Sequence, residues 1–553
     1  MLTRPNNFSN KVQVWLPLLL ALALVLGMVI GMRMSQSVTT ISVSKAKNYR
    51  DYQSREGKIE ELLRYIEAKH VDRVDRDKLV DEAIHKLMDQ LDPHSSYIPA
   101  SELQEVNEQL NGKFNGIGVE FLIVKDTAVV ISPMSGGPSE TAGILPGDKI
   151  IKVGDSTIVG DKLSNHSIVS LLRGEKGSKV NISVLRTGEK KLHRYTVVRD
   201  EIPVKSVDVA YMISDRVGYI RVNRFSADTD KEFLEAMRIL SEQGHMKDLI
   251  FDLRGNPGGY MQVATNMLSQ LFPNKGNLLV YTQGRASQRA EFNSNGRVFY
   301  PIDKIVVLID EGSASASEIV AGAIQDNDRG IIVGRRSFGK GLVQEQYQLS
   351  DGSALRLTIA RYFTPSGRSI QKAYDQGSEA YDRDVEERIK TGELLSANKI
   401  AIKDSTKFFT TKGRIVYGGG GIIPDVFVPL DTIQLSNFFL DARQMIPSFV
   451  LKYLDESKLK QLKKSGLNAF QQTFNPNEQT FKDFQAYAAQ NGLRGTPQFW
   501  AKSKGEITRF IKARIAKHLF DDKGFFTVLN QDDPTVQAAL KSIKGKGKVK
   551  NDE

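Results

Sequence analysis

Three short apolar runs, each leading into a turn of glycine or other small residues that carries a reactive group, constrain this chain more than any other feature. The run 249–251 leads into Asp252-Leu253-Arg254-Gly255-Asn256-Pro257-Gly258-Gly259. The run 305–309 precedes Gly312-Ser313-Ala314-Ser315-Ala316-Ser317-Glu318, which opens a small-residue helix through about Gln325. The run 331–333 precedes Ser337-Phe338-Gly339-Lys340-Gly341-Leu342-Val343-Gln344. Apolar runs of this length, punctuated by glycine and proline, read as strands, and with the intervening helix they predict an α/β region over about 205–430.

Each turn has a bland and a chemical reading. A glycine turn after a buried strand presents bare backbone N–H groups. Ser315 and Glu318 have capping-box spacing, so Ser315 reads as an N-cap; the same geometry exposes a hydroxyl beside the positive end of a helix dipole. Lys340 between two glycines reads as a solvated loop, or as a base for a serine nucleophile. The second role requires its pKa to fall from about 10.4 to roughly 7–8, hence a largely apolar pocket closed to carboxylates, which Phe338, Leu342 and Val343 are placed to line. His94, in Asp92-Pro93-His94, invites a Ser–His–Asp triad, but its neighbours are turn formers and a structural bend explains it. Ser369-Ile370-Gln371-Lys372 fits an S-x-x-K pattern that also occurs at Ser44 and Ser457, as chance allows in a lysine-rich chain. No H-E-x-x-H or P-loop is present, and no metal site is expected.

The 553 residues suggest three to five domains at roughly 100–200 residues each. Zero cysteines exclude disulfides, thiol nucleophiles and cysteine-bound zinc. The net charge of +11 is a modest excess over this length, and the lysines near the C-terminus are not interleaved with aromatics, so nucleic acid is not expected as a partner. Residues 14–32 carry no charge over 19 positions, about 28 Å as a helix, which predicts an uncleaved signal anchor over 12–32. Arg4 and Lys11 before the span against Arg33 after it place 1–11 in the cytoplasm. Residues 33–112 read as a polar stalk and helices, with Leu62, Leu63, Ile66, Leu79, Ala83 and Leu87 at helical spacing. Short β runs fill 113–200. Residues 431–553 read as a helical, Lys-rich extension ending in a disordered tail that includes Lys541, Lys544, Lys546, Lys548 and Lys550.

Together the segments LDPHSSY (91–97), GIGVEF (116–121), LPGDKI (145–150), GYIRV (218–222), DLRGNPGG (252–259), GSASASEI (312–319), SFGKGLVQ (337–344), TPSGRSIQ (364–371) and GGIIPD (420–425) resemble, in order and spacing, the carboxyl-terminal processing peptidases, or tail-specific proteases. The resemblance spans about two-thirds of the chain. It implies a multidomain α/β protein: an anchor, a helical segment, a PDZ domain over 113–200, a serine-protease core of ClpP/crotonase type over 201–430, and the helical extension 431–553. It also implies Ser315 as nucleophile, Lys340 as general base and Gln344 as the group orienting the lysine. The oxyanion hole would use the amides of Ala316 and of Gly258 or Gly259, with Gly258 preferred. The PDZ resemblance places a substrate tail against Gly116, Ile117, Gly118 and Val119, with the helix side near Ile168, Val169 and Leu172 receiving its last side chain. Arg173 corresponds to an arginine that links PDZ position to the active site in some relatives, or is simply solvated at a helix end. The expected protein is a single-pass enzyme of the bacterial inner membrane facing the periplasm. It needs no cofactor, binds unstructured C-terminal segments, and acts with an adaptor or as a homo-oligomer. The alternative is a catalytically silent PDZ scaffold or envelope-binding protein on a protease-like body.

Overall fold

The computed structural model describes residues 49–545 apart from 125, 161, 162, 187, 434, 454 and 455. The expected tail 1–11 and anchor 12–32 lie outside the described residues, as do 546–553. Among the described residues no helix is long and apolar enough to cross a membrane. The chain divides into two units, 1–82 and 83–553. In the first, Arg76 pairs with Glu60 at 2.9 Å and Glu67 at 3.1 Å on the helix Tyr49–Lys69. Ile59, Leu62 and Tyr65 of that helix are exposed.

In the second unit, the strands Val119–Val124, Thr127–Pro133, Lys149–Val153, Lys179–Leu185 and Leu192–Val198 form an antiparallel sheet in chain order, with Ser156–Thr157 added to the third. Its alternating apolar residues, among them Val130, Ile150, Ile182 and Val184, close a small core with Ile117 and Ile168. The helix Asn165–Leu172 begins at Ser164, whose hydroxyl accepts the Ser167 amide, and flanks this sheet.

The largest core belongs to a six-stranded sheet in the order Val207–Ser214, Val217–Val222, Asp248–Asp252, Ile305–Ile309, Ile331–Gly334, Val426–Phe427. The first pair is antiparallel and the others are parallel. Every residue of the two central strands is buried, as expected of parallel strands covered on both faces. Period-two alternation sorts them: Leu249, Phe251, Ile305, Val307 and Ile309 pack with the helices Thr229–Glu242, Met261–Ser269 and Ala316–Asp326. Ile250, Val306 and Leu308 face the other way, against Val536, Ala539 and Ile543 of the helix Pro534–Lys544. That helix corrects one expectation. Lys541 and Lys544 belong to its last turn rather than to a disordered tail, because its apolar stripe covers the second face of the six-stranded sheet. Burying each large aliphatic side chain there contributes about 1.5–3 kcal/mol. Its N-cap Asp533 accepts the amides of Thr535 and Val536 and also Arg254 Nη1 at 2.8 Å, tying the extension to the turn after Asp248–Asp252.

A second sheet of five strands (Ser96–Ile98, Ala354–Phe363, Lys275–Gln283, Ala290–Asn295 and Leu342–Gln348) carries Gln344 beside the first. The helices Asn437–Tyr453, Glu456–Thr473, Glu478–Gln490 and Pro497–Gln531 build a separate aromatic-rich core around Phe439, Phe449, Phe470 and Phe484.

Candidate active site

The turns that follow the two central strands are laced together before any reactive group is placed. Ser313 is buried and its hydroxyl donates to Leu253 O at 2.8 Å. The Ala314 amide and the Ser317 hydroxyl both donate to Asn256 O, at 3.0 and 2.9 Å, and the Phe338 amide donates to Ser313 O at 3.0 Å. Ser315 therefore emerges at the first turn of Ala316–Asp326 with φ 55° and ψ −114°, a conformation that costs a non-glycine residue about 1–3 kcal/mol. Tyr362 Oη donates to the carbonyl oxygens of Ser315, at 3.0 Å, and of Lys340.

Glu318 joins the Ser315 turn to the Lys340 loop. It is fully buried. Its Oε2 accepts the amides of Ser315 (2.9 Å) and Lys340 (2.8 Å), while Oε1 accepts the Gly339 amide (2.7 Å) and the Ser337 hydroxyl (2.5 Å). Burial pushes the carboxyl up to about 7, against these hydrogen bonds, which favour the charged form. Gly339 is required where it stands: at φ 91° a Cβ would lie 3.1 Å from Lys372 Cβ and 3.2 Å from Gly421 N.

The Lys340 Nζ donates to Gln344 Oε1 at 3.0 Å, and no carboxylate pairs with it among the described residues. Burial pushes the amine below the ordinary lysine value and the Arg356 charge adds to this, while Asp92 and Glu318 pull the other way. Gln344 in turn donates through Nε2 to His94 O. That carbonyl is held by the bend at Asp92, whose carboxylate accepts the amides of His94 and Ser95, the Ser95 hydroxyl and the Thr358 hydroxyl. The His94 ring contacts Tyr381 Oη at 2.8 Å, and burial together with the Lys340 charge pushes the imidazole down to about 4. His94 thus sits in a structural bend and makes no hydrogen bond to Ser315. Lys372, of the S-x-x-K pattern, is buried between the rings of Phe338 and Tyr381, 3.4 Å from Asp384.

Ser315, Lys340, Gln344, Gly258 and Gly259 line one cavity of about 470 Å³ whose walls include Val106, Leu110, Met261, Ile319, Leu342 and Val343. In this conformation no hydrogen bond joins Ser315 Oγ to Lys340 Nζ; the amine is turned to Gln344. The two glycines offered for the amide pair differ in how their N–H groups are engaged. Gly258 N donates to Asn256 Oδ1 at 2.8 Å, and Asn256 is itself anchored through Nδ2 to Val222 O at 2.9 Å. The Gly258 amide is therefore occupied, whereas among the described residues those of Gly259 and Ala316 have no protein acceptor. Gly258 serves by closeness instead: a Cβ there would lie 2.7 Å from Ser315 Cβ and 2.9 Å from Ala316 N.

In the smaller antiparallel domain, Gly116, Ile117, Gly118, Val119 and Leu172 surround a groove of about 120 Å³ together with Phe121 and Val169. Ile168 does not take part. It is 0% exposed within the domain core, because the helix Asn165–Leu172 turns it inward and offers Val169 to the groove. Arg173, at the groove, lies over the Phe114 ring at 5.1 Å and pairs with Glu105 (3.5 Å) and Glu108 (3.4 Å) of the helix Ala100–Asn111. Val106, Gln109 and Leu110 of that helix line the Ser315 cavity, and Asn111 Oδ1 accepts the Tyr260 hydroxyl at 3.2 Å.

Glu318 was visible in the sequence only as a capping residue. Asn256 stood within a recognised motif without an assigned part. Tyr362 and Arg356, both on Ala354–Phe363, had no local signal.

Comparison with known proteins agrees with these features. Residues 216–377 match peptidase family S41, residues 115–197 match the PDZ domain, and residues 438–521 match a family of unknown function. The carboxy-terminal processing protease CtpB of Bacillus subtilis (strain 168) is 33% identical over 354 residues, covering 63% of this chain and 71% of its own. The carboxy-terminal-processing protease of Bartonella bacilliformis is 37% identical over 342 residues, covering 61% of this chain and 76% of its own. Among solved structures, the photosystem II D1 C-terminal processing protease is 28% identical and covers 70% of this chain and 93% of its own, at a TM-score of 0.34, too low to bear on the fold. With two such relatives each aligned over more than two-thirds of its length, the chain belongs to the carboxy-terminal processing proteases, serine peptidases of family S41 that here carry a PDZ domain.

Proposed function

We propose that the protein is an endopeptidase of the cell envelope that captures unstructured C-terminal tails in its PDZ groove and cleaves them with a Ser315–Lys340 dyad. The observation that carries the reading is the shared cavity in which an amine without a carboxylate partner, held by Gln344, and a serine in a strained helix-mouth conformation are braced by one buried glutamate. Neutral Lys340 swings from Gln344 to accept the Ser315 hydroxyl proton as Oγ attacks the scissile carbonyl carbon. The amides of Ala316 and Gly259 receive the oxyanion. Collapse of the tetrahedral intermediate breaks the C–N bond, and Lys340 returns the proton to the leaving amine. Water then repeats the sequence on the acyl-enzyme.

Tail capture would use the strand Val119–Val124 as an edge for the peptide, with the Gly116–Val119 amides taking the terminal carboxylate and Val169 and Leu172 the last side chain. Arg173 would report occupancy to the cavity through Ala100–Asn111. The uncharged run 14–32 would tether the enzyme to the inner membrane with its catalytic part in the periplasm. The exposed Ile59, Leu62 and Tyr65 would meet an adaptor or a second copy. Incubation of the protein with a disordered substrate tests the dyad: Ser315→Ala and Lys340→Ala should each abolish cleavage while near-UV circular dichroism is unchanged, and persistent cleavage by either variant would overturn it.

A further inference from the structure

The cavity that holds Ser315 and Lys340 is unevenly charged. Its lining includes two arginines, Arg224 and Arg356, and no aspartate or glutamate. Neither arginine forms an ion pair among the described residues. Arg224 makes a single side-chain hydrogen bond, from Nε to Asn223 Oδ1 at 3.2 Å, and Arg356 one, from Nη2 to Gln346 Oε1 at 3.1 Å. A guanidinium carries five N–H donors, so most of the donor capacity of both groups is left to whatever enters the cavity. Both side chains are half-buried. When a bound peptide displaces the remaining water, an unpaired guanidinium becomes costly unless the peptide supplies an acceptor, and a carboxylate is the group whose two oxygens match the guanidinium fork.

Several buried or half-buried arginines elsewhere in this chain are ion-paired, and Arg199 and Arg329 donate to main-chain carbonyl oxygens instead. Arg221 meets Asp208 and Asp252, Arg335 meets Glu311, and Arg414 meets Asp328 and Asp425. Arg224 and Arg356 have neither kind of partner and line the cavity that also holds the serine and the lysine.

We propose that Arg224 and Arg356 form a carboxylate subsite, so that the enzyme favours substrates presenting a negative group within the catalytic cavity. The carboxylate comes from an aspartate or glutamate side chain near the scissile bond, or from the chain terminus itself when the cut lies close to it. The inference rests on the reading of this cavity as the active site. It adds a second selection, made at the cut, to the capture of the tail by the PDZ groove.

The test uses the full chain and a host peptide that it cleaves, with Glu, Gln or Lys at each of the four positions on either side of the cut. A parallel set ends within that window as free acid or as amide. Relative kcat/KM is read on the active protein, and affinity by fluorescence anisotropy on the Ser315→Ala protein. At one position Glu should exceed Gln by about tenfold, with Lys below both, in binding as well as in kcat/KM. Arg224→Gln and Arg356→Gln should each bring the Glu/Gln ratio towards one, whereas Arg356→Lys, which keeps the charge, should retain a preference. A tenfold acid/amide ratio that collapses in the same variants would name the chain terminus as the source of the carboxylate. Ratios near one at every position in both sets would overturn the subsite, as would a preference that survives both Gln substitutions. Because the anisotropy arm needs no cleavage, it reads the subsite even if the Ser315–Lys340 chemistry is refuted.

Discussion

The Glu318 carboxylate lies 2.8 Å from the main-chain amide of Lys340 and, through the same oxygen, 2.9 Å from that of Ser315. One side chain therefore sets the separation of the two loops whose side chains are proposed to react. Glu318→Gln places an amide NH₂ against backbone N–H donors. It should lower kcat by about a hundredfold through misplacement of the loops, and lower stability by about 1–3 kcal/mol. Steady-state kinetics and urea denaturation check both; wild-type kcat in a folded Gln variant would remove the brace from the mechanism.

The same residue predicts a pH dependence of stability. Its folded-state pKa, about 7, lies above the ordinary glutamate value of 4.5, so between these limits the folded protein binds more protons than the unfolded chain. The Glu318 contribution is fully present below about 4.5 and is lost as pH rises through about 7. Urea midpoints across that window should show a downward component in the wild type that is absent in Glu318→Gln.

Activity should run the other way. As the proposed base Lys340 acts only when neutral, and burial with the nearby Arg356 charge lowers its pKa. The rate should rise with pH along a single limb. Arg356→Gln removes the assisting charge and should move that limb to higher pH by up to about one unit. An unmoved limb would show that burial alone governs the base.

Gln344 holds the amine as a neutral acceptor. Gln344→Glu substitutes an ion pair of nearly the same shape. An adjacent carboxylate raises a lysine pKa by about one to three units, so the rate near pH 7 should fall ten- to a thousandfold and recover partly at high pH. Gln344→Ala should lose activity without that recovery. Rate–pH profiles of the two variants separate these outcomes.

Arg173 connects the groove to the helix that borders the cavity. Arg173→Ala should lower cleavage of a protein with a free C-terminal tail about fivefold or more, and affect a short peptide less, if the two sites are coupled. Equal effects on both substrates would show that Arg173 only supports the fold.

What could be read along the chain was what local chemistry dictates. Apolar runs before glycine turns announced the strands and offered Ser315 and Lys340 as candidates, the family resemblance chose their chemical reading and added Gln344, and the fold collects all three around one cavity. Orientation was not local. Ile168 and Val169 are adjacent apolar residues on one helix, and only packing against the sheet decides that the first faces the core and the second the groove. Gly258 and Gly259 are equivalent in a motif; the side-chain oxygen Oδ1 of buried Asn256 selects which amide stays open. The apolar stripe of Pro534–Lys544 required burial but did not name its partner, the far face of a sheet whose central strands lie more than two hundred residues earlier in the chain. Arg356 becomes a neighbour of Lys340 because two antiparallel strands of the second sheet align it beside Gln346. The sequence by itself determined which groups are present and which segments become strand, turn or helix, since those depend on neighbours within a few residues. The tertiary structure alone decided which groups meet, which amide stays free and which charge goes unpaired, since those depend on contacts between segments whose separation along the chain carries no local signal.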